Sequence, residues 1–245
     1  MPTFHVTGNQ TGNTALDSGA TPYTTPEIID VSGITRMAPT FETGDGVTIN
    51  LAAHSEWIGG FRAYPTDPVK ITGTGTFDNI GSGTYGTGVL NAFGTSVDGT
   101  AIIGVNVIGT GSIGVYEDHV SSPGKLEFMK GVGAGQTVSV SGHQSWDNEF
   151  GIEQIDAPST YHASTKLGYG EIILEGLKAT SYALKNDLLS IFNGRSVVDT
   201  MKLTTESIGG YGPQNFGVSQ VGGSVVVHAD GSAYKDGGTL LAVHA

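Results

Sequence analysis

The acidic residues Asp147, Glu149, Glu153 and Asp156 are the strongest group of carboxylates in this sequence that could act together in catalysis or metal binding. Two carboxylates can act as acid and base on a glycosidic bond, and several together can bind Ca²⁺ through their oxygen atoms. Spacing along the chain does not give their separation in space. Three interpretations therefore stay open: a catalytic pair, a calcium site, and a solvent-exposed insertion loop.

Aromatic side chains are the second candidate for a binding site. Trp57, Phe61 and Tyr64 lie close together in the sequence. Their ring faces can stack on sugars, and the polar atoms of Trp and Tyr can bond to hydroxyl groups. The same residues can instead cap a hydrophobic core, which is the alternative expectation.

The remaining polar motifs are less specific. Glu117-Asp118-His119 is a local cluster that suits either a metal or a surface turn, and Gly73 to Asp78 approximates one copy of a calcium-binding glycine-rich repeat. The sequence contains no HExxH motif, G-x-S-x-G elbow, Walker loop or dinucleotide fingerprint in a suitable context. We therefore expect a protein that is not an enzyme, with no cofactor other than Ca²⁺.

Composition restricts the partners. The 245 residues include 11 Lys and Arg against 23 Asp and Glu, a net charge of −12. Nucleic-acid binders neutralise phosphates with basic residues, so we expect no nucleic-acid partner. Copies of the same chain, polysaccharides and cations remain as expected partners.

Cysteine and targeting signals are both missing from the sequence. There is no cysteine, so no disulfide framework is possible. The N-terminus lacks the basic and apolar regions of a signal peptide, and no apolar run is long enough for a membrane helix. The expectation is a protein without membrane insertion and without a recognisable N-terminal signal peptide.

Short β-branched clusters separated by glycine are the main indication of the fold. Examples are Val69 to Gly73, Ala101 to Ile103 and Ser112 to Val115, in a chain with 39 glycines. Strands this short and this frequent predict an all-β fold. We expect a right-handed parallel β-solenoid (β-helix) over 69–245, with an irregular N-terminal cap or assembly segment over 1–68. The alternative is a Greek-key sandwich or jelly roll.

Two local predictions concern the C-terminal half. Leu188 to Phe192 and Ser196 to Leu203 flank Asn193-Gly194, a dipeptide typical of two-residue hairpin loops. They are predicted to form a β-hairpin. Leu177 to Leu184 is the only candidate for a helix.

Two segments carry a resemblance to a known family. Gly133-Ala134-Gly135-Gln136-Thr137-Val138, preceded by the strand Lys125 to Phe128, resembles the G-A-G-Q-T-V unit of the β-strand-repeat proteins of Proteobacteria. These include autotransporter-passenger-like and adhesin-like surface proteins. Asn215 to Val218 and Gly222 to Val227 resemble their terminating unit, and the resemblance covers roughly residues 110 to 230.

The resemblance implies a secreted or surface-displayed solenoid with a structural, matrix or adhesive role. From it we expect an exported structural protein, extracellular or at the cell surface, that self-assembles into a bacterial surface layer, filament or biofilm matrix. The alternative is a carbohydrate-binding or adhesive module on the same scaffold.

Overall fold

The structure, a computed structural model, describes residues 3–7, 10–11, 27–36, 41–42, 46–63, 68–80, 95–115, 124–141, 151–205, 216–229 and 239–243. Within these ranges the chain forms β-strands and one 3₁₀ turn at Pro158–Thr160, and it contains no α-helix. The prediction of an all-β protein is confirmed. The candidate helix at Leu177 to Leu184 is wrong, because Ser181–Lys185 is a strand.

The strands are short, and most contain two to six residues. Those before residue 68 are β1 (Thr3–Thr7), β2 (Gln10–Thr11), β3 (Glu27–Ser32), β4 (Ile34–Arg36), β5 (Phe41–Glu42), β6 (Val47–Leu51), β7 (Glu56–Ile58) and β8 (Phe61–Ala63). The next are β9 (Val69–Gly73), β10 (Thr76–Asp78), β11 (Thr95–Val97), β12 (Thr100–Ile103), β13 (Asn106–Ile108), β14 (Ser112–Val115), β15 (Lys125–Phe128), β16 (Thr137–Val140), β17 (Gly151–Ile155), β18 (Ser164–Leu167) and β19 (Gly170–Leu174). The last are β20 (Ser181–Lys185), β21 (Leu188–Asn193), β22 (Ser196–Thr205), β23 (Gly217–Val221), β24 (Ser224–His228), β25 (Thr239–Leu240) and β26 (Ala242–Val243).

These strands form three sheets, which the chain visits in turn. Sheet A has the order β1-β3-β6-β9-β12-β15-β17-β19-β24-β23-β25. Sheet B has the order β13-β10-β7-β4-β2, and sheet C has the order β26-β20-β21-β22-β18-β16-β14-β11-β8-β5. From β3 to β14 each pass of the chain adds one strand to A, then B, then C. After β13 the pairing at sheet B continues as isolated bridges from Val107 to Val132 and from Val132 to Tyr161.

Pairing between successive passes is parallel up to β19. The Greek-key alternative requires antiparallel strands, whereas β1 to β19 pair in parallel within all three sheets. The register aligns buried side chains into columns. One column of sheet A consists of Ile29, Ile49, Ile71, Ile103, Phe128, Ile155 and Leu174, each at most 1% exposed.

Glycine allows close contact where the chain turns between sheets. Gly73 ends β9 at φ +108°, and a Cβ atom there would clash with the backbone carbonyl of Leu51 on the preceding pass. Only glycine adopts this conformation without strain and leaves that space open. The predicted use of glycine at corners therefore has a direct steric cause at this position.

The pairing changes after β19. β24 pairs antiparallel with β19, and β20, β21 and β22 form an antiparallel meander that joins sheet C through β22. The predicted hairpin of β21 and β22 is confirmed. Its loop is Gly194-Arg195 instead of Asn193-Gly194, since Asn193 pairs with Ser196 and Gly194 has φ +62°.

The predicted boundary after residue 68 falls within continuous sheets. Val47–Leu51 on one side pairs in register with Val69–Gly73 on the other. In this N-terminal part, Glu27–Ser32 and Val47–Leu51 form the strands β3 and β6. Within the described ranges, residues before 68 thus contribute regular strands to all three sheets. The division of the chain into two domains there stays a prediction.

Candidate functional site

The structure separates the two described members of the predicted acidic group. Asp147 and Glu149 lie outside the described residues. Glu153 is fully buried in the interior. Asp156 lies on the outer side, where one carboxylate oxygen accepts a hydrogen bond from Gln154 Nε2 at 3.0 Å. Glu153 and Asp156 therefore do not converge.

The expected calcium site has no described counterpart. Across the described ranges, no three or more His, Asp or Glu side chains come together in a way that would hold a metal ion. Glu117-Asp118-His119 lies outside those ranges. The prediction of Ca²⁺ binding remains untested.

Glu153 belongs to a buried cluster that we call the polar triad, formed with Tyr161 and Thr165. The Tyr161 hydroxyl donates to Glu153 Oε1 at 2.7 Å and lies 2.7 Å from Thr165 Oγ1. Thr165 Oγ1 lies 3.5 Å from Glu153 Oε2. The exposed fractions are 0% for Glu153, 3% for Tyr161 and 1% for Thr165, so the triad is closed to solvent.

Sheets A and C each contribute one member of the triad, and the third lies at an isolated bridge beyond the last strand of sheet B. Glu153 points inward from β17, with Gly151 and Ile155 on the same face, because side chains alternate along a strand. Thr165 points inward from β18. Tyr161 follows the 3₁₀ turn and bridges Val132 on the sheet B side. One layer of the interior, formed by a single pass of the chain, is therefore polar.

The layers on both sides of the triad are apolar. On the preceding pass, Glu153 faces Leu126, Thr165 faces Val138 and Tyr161 faces Val132. On the following pass, the residues opposite Glu153 and Thr165 are Ile172 and Leu203. The carboxyl group thus replaces an aliphatic side chain in an otherwise apolar column.

Burial controls the ionisation of this group. Desolvation raises the pKa of Glu153 to about 7, although the hydrogen bonds from Tyr161 and Thr165 act in the opposite direction. Desolvation, together with the nearby carboxylate of Glu153, also raises the pKa of Tyr161. Chemically, the triad can hold and release a proton. It has no exposed surface with which to contact a substrate.

Two of the three predicted sugar-stacking residues lie in the core. Trp57 and Phe61 are both 0% exposed, and the ring of Phe61 lies 5.7 Å from that of Phe77. Stacking on a sugar requires an exposed ring face, so these two residues serve packing instead. Tyr64 lies outside the described residues.

A second buried polar network was not predicted. Asn79 Nδ2 donates to Gln136 Oε1 at 2.7 Å, and Gln136 Nε2 donates to the carbonyl oxygens of Asn79 and Ile108 at 2.9 and 2.7 Å. Thr95 Oγ1 donates to Asn79 Oδ1 at 2.8 Å. Gln136 connects residues on three successive passes of the chain. Its position in the G-A-G-Q-T-V segment was recognised from the sequence, but its partners were not.

The outer face of sheet A has a polar ladder near its β1 end. Asn50 Nδ2 donates to Asp30 Oδ1 at 2.8 Å, Thr72 Oγ1 donates to Asn50 Oδ1 at 2.6 Å, and His5 Nδ1 lies 3.3 Å from Asp30 Oδ2. These residues occupy consecutive strands in register. A surface pocket of about 320 Å³ lies beside them, lined also by Leu51. The hydrogen bonds of the ladder link strands of neighbouring passes, and its charged groups do not cluster around a single point.

Comparisons with known proteins give no relative for this chain. No protein-family model matches it, and neither a curated protein nor a solved structure matches it significantly. None of the described residues belongs to a helix long and apolar enough to cross a membrane.

Proposed function

We propose that the chain is a right-handed β-solenoid and a structural subunit that associates end to end with copies of itself into an exported filament or matrix. The observation that carries this proposal is the arrangement of the sheet ends. Parallel strands in one sheet are connected by right-handed crossovers in nearly all known proteins, which supports the handedness.

One end of the proposed rod consists of the first strands of the three sheets. β1, β2 and β5 are the outermost strands of sheets A, B and C. Among the described residues, each pairs with a single neighbouring strand. An edge strand offers a row of N–H and C=O groups to another chain. β1, with five residues, provides the longest such edge at this end.

The other end carries exposed apolar side chains. β25 and β26 are the last strands of sheets A and C at the opposite end from β1 and β5. Leu240 in β25 is 59% exposed, and Val243 in β26 is 69% exposed. Among the described residues these two have the largest exposed fractions of any large hydrophobic side chain. Exposed apolar groups beside strand edges favour burial against another molecule.

A second copy is the occupant that fits both ends. Its strands have the same spacing of about 4.8 Å. Sheets A and C have an edge strand at each end, so main-chain pairing can continue in these two sheets from one copy to the next. Contact between two different ends of one molecule is heterologous, and repetition gives an open filament. The net charge of −12 opposes association at low ionic strength, so salt or Ca²⁺ should promote it by screening or binding.

Negative-stain electron microscopy of concentrated protein tests the proposal, with and without Ca²⁺. We expect rods that lengthen with concentration for the natural chain, and separate particles for a variant with both Leu240→Lys and Val243→Lys. Met129→Lys is the matched control, since Met129 is 46% exposed but follows β15, away from both ends. Single particles under every condition would contradict the proposal, as would equal assembly by the double variant.

A further inference from the structure

We propose that the polar triad of Glu153, Tyr161 and Thr165 is an internal proton-binding site that makes the folded protein more stable in acid than at neutral pH. The site is independent of self-association, because it lies inside a single chain. Its proton is held by the geometry of four oxygen atoms, from three side chains, in an apolar layer.

Counting protons shows which state the geometry favours. The triad has three oxygen–oxygen contacts, of 2.7, 2.7 and 3.5 Å. When Glu153 is ionised, the two hydroxyl groups supply only two protons for three contacts. When Glu153 is protonated, its O–H can donate to Thr165, Thr165 to Tyr161, and Tyr161 to the remaining oxygen of Glu153. The neutral acid therefore closes a ring in which each member donates once and accepts once.

Among the described residues that face the triad, none carries a positive charge that would compensate the ionised form. The side chains that face the triad from the adjoining passes cannot ionise. They are Leu126, Val138, Val132, Ile172 and Leu203. Tyr161 is the only other titratable group within the cluster. Most titratable residues on the strands around it alternate to the outer side: Lys125 and Glu127 on β15, Lys166 on β18, Glu171 on β19 and Lys202 on β22. Half-buried Asp199 of β22 interacts electrostatically with exposed His162.

The sign of the pH dependence follows from the raised pKa of Glu153 in the folded state. The folded pKa of Glu153, about 7, is above the ordinary value of 4.5. The folded state therefore binds the proton more tightly than the unfolded state, and the added stability is fully present below pH 4.5. It is lost as the pH rises from 4.5 to 7 and stays lost above that. The unfolding equilibrium constant should increase about 300-fold across this range, equivalent to about 3.4 kcal/mol.

The layer above the triad is where the consequence should appear first. Ile172 belongs to β19 and Leu203 to β22, the strands on which the antiparallel C-terminal elements pair. A charged carboxylate beneath them weakens the support of this part of the chain. Local opening around β19 and β22 should therefore become more frequent as Glu153 ionises.

Denaturant unfolding of the natural chain and of Glu153→Gln, from pH 4.5 to 8.5, tests the site. Glutamine keeps the shape and cannot ionise, so the roughly 300-fold change should be absent from the variant. Glu127→Gln is the matched control on a neighbouring strand, and it should retain the full pH dependence. Parallel pH profiles for the natural chain and Glu153→Gln would overturn the proposal.

A direct titration keeps the test decisive if Glu153→Gln does not fold. The ¹³Cδ chemical shift of Glu153 in the natural chain should titrate near pH 7 by nuclear magnetic resonance. Glu153→Leu, which continues the column with Leu126, serves as the second non-ionising variant. A titration midpoint near the ordinary value of 4.5 would overturn the proposal, whatever the behaviour of the variants.

Discussion

Replacing Gln136 with alanine should be among the most damaging changes of a polar residue in this protein. The Gln136 amide is 1% exposed and makes three hydrogen bonds, of 2.7, 2.7 and 2.9 Å. Two of them satisfy backbone carbonyl groups at the ends of β10 and β13, at Asn79 and Ile108. Sheet B loses its regular strands after β13, so this side chain stabilises the place where strand pairing becomes sparse.

The expected cost follows from the partners left behind. Gln136→Ala removes the donor to the Asn79 carbonyl and the acceptor for Asn79 Nδ2. The Ile108 carbonyl keeps a bond from the Asn79 backbone N–H at 3.2 Å, and Asn79 Nδ2 keeps a 3.3 Å contact to the Ser112 carbonyl. Each buried group that loses its partner costs about 1–3 kcal/mol. With the Asn79 carbonyl and Asn79 Nδ2 both affected, we expect a loss of about 2–6 kcal/mol, a large share of the 5–15 kcal/mol typical of a domain.

Urea unfolding followed by tryptophan fluorescence measures this loss, because Trp57 is completely buried. Gln154→Ala is the matched control: its side chain bonds to Asp156 on the outer face, and its loss should cost less than about 1 kcal/mol. A double-mutant cycle with Asn79→Ala should give a coupling of about 1–2 kcal/mol for the side-chain pair. Equal costs for Gln136→Ala and Gln154→Ala would refute the reasoning.

Four further substitutions give expectations that unfolding experiments can check. Gly73→Ala combines positive φ with a clash against the Leu51 carbonyl and should lower the free energy of unfolding by more than about 2 kcal/mol. Gly176→Ala is its control, because Gly176 has φ +73° with open space around it, and it should cost about 1 kcal/mol. Equal costs would mean that the clash is absent. Phe128→Ala should cost about 3–5 kcal/mol, since the ring is fully buried 5.9 Å from that of Tyr161; a loss below 1 kcal/mol would contradict the packing. Asp30→Ala should cost less than about 1 kcal/mol, because the ladder is partly exposed, and a larger loss would show that the ladder is a principal source of stability.

Local patterns predicted much of the secondary structure. The apolar cluster Ala101 to Ile103 lies in β12, and its flanking glycines lie in the connections on either side, because short apolar runs between glycines suit buried strands. The hairpin of β21 and β22 was also predicted correctly. The only helix candidate, Leu177 to Leu184, is wrong: Ser181–Lys185 is the strand β20, and Asn186 and Asp187 adopt left-handed conformations, at φ 53° and 58°, that turn β20 into β21. Two consecutive Asx residues are a known source of such turns.

The candidate site was predicted less well, because its contacts depend on how the chain turns from one sheet to the next and on register between passes. Glu153 was grouped with its sequence neighbours, whereas its partners are Tyr161 and Thr165 on other faces of the interior. The alternation of Gly151, Glu153 and Ile155 within a strand was the available indication that Glu153 points inward. Gln136 shows the same limit, since its bond to Asn79 spans 57 residues. No spacing rule along the chain predicts which residues a parallel stack will place opposite each other.

Sedimentation velocity over a wide range of protein concentration tests end-to-end self-association most directly. At moderate salt, the natural chain should sediment as a series of growing species whose average size increases with concentration. The variant carrying Leu240→Lys and Val243→Lys should remain at the monomer value at the same concentrations. A single monomer boundary for the natural chain at every concentration, with and without Ca²⁺, would contradict the proposed assembly.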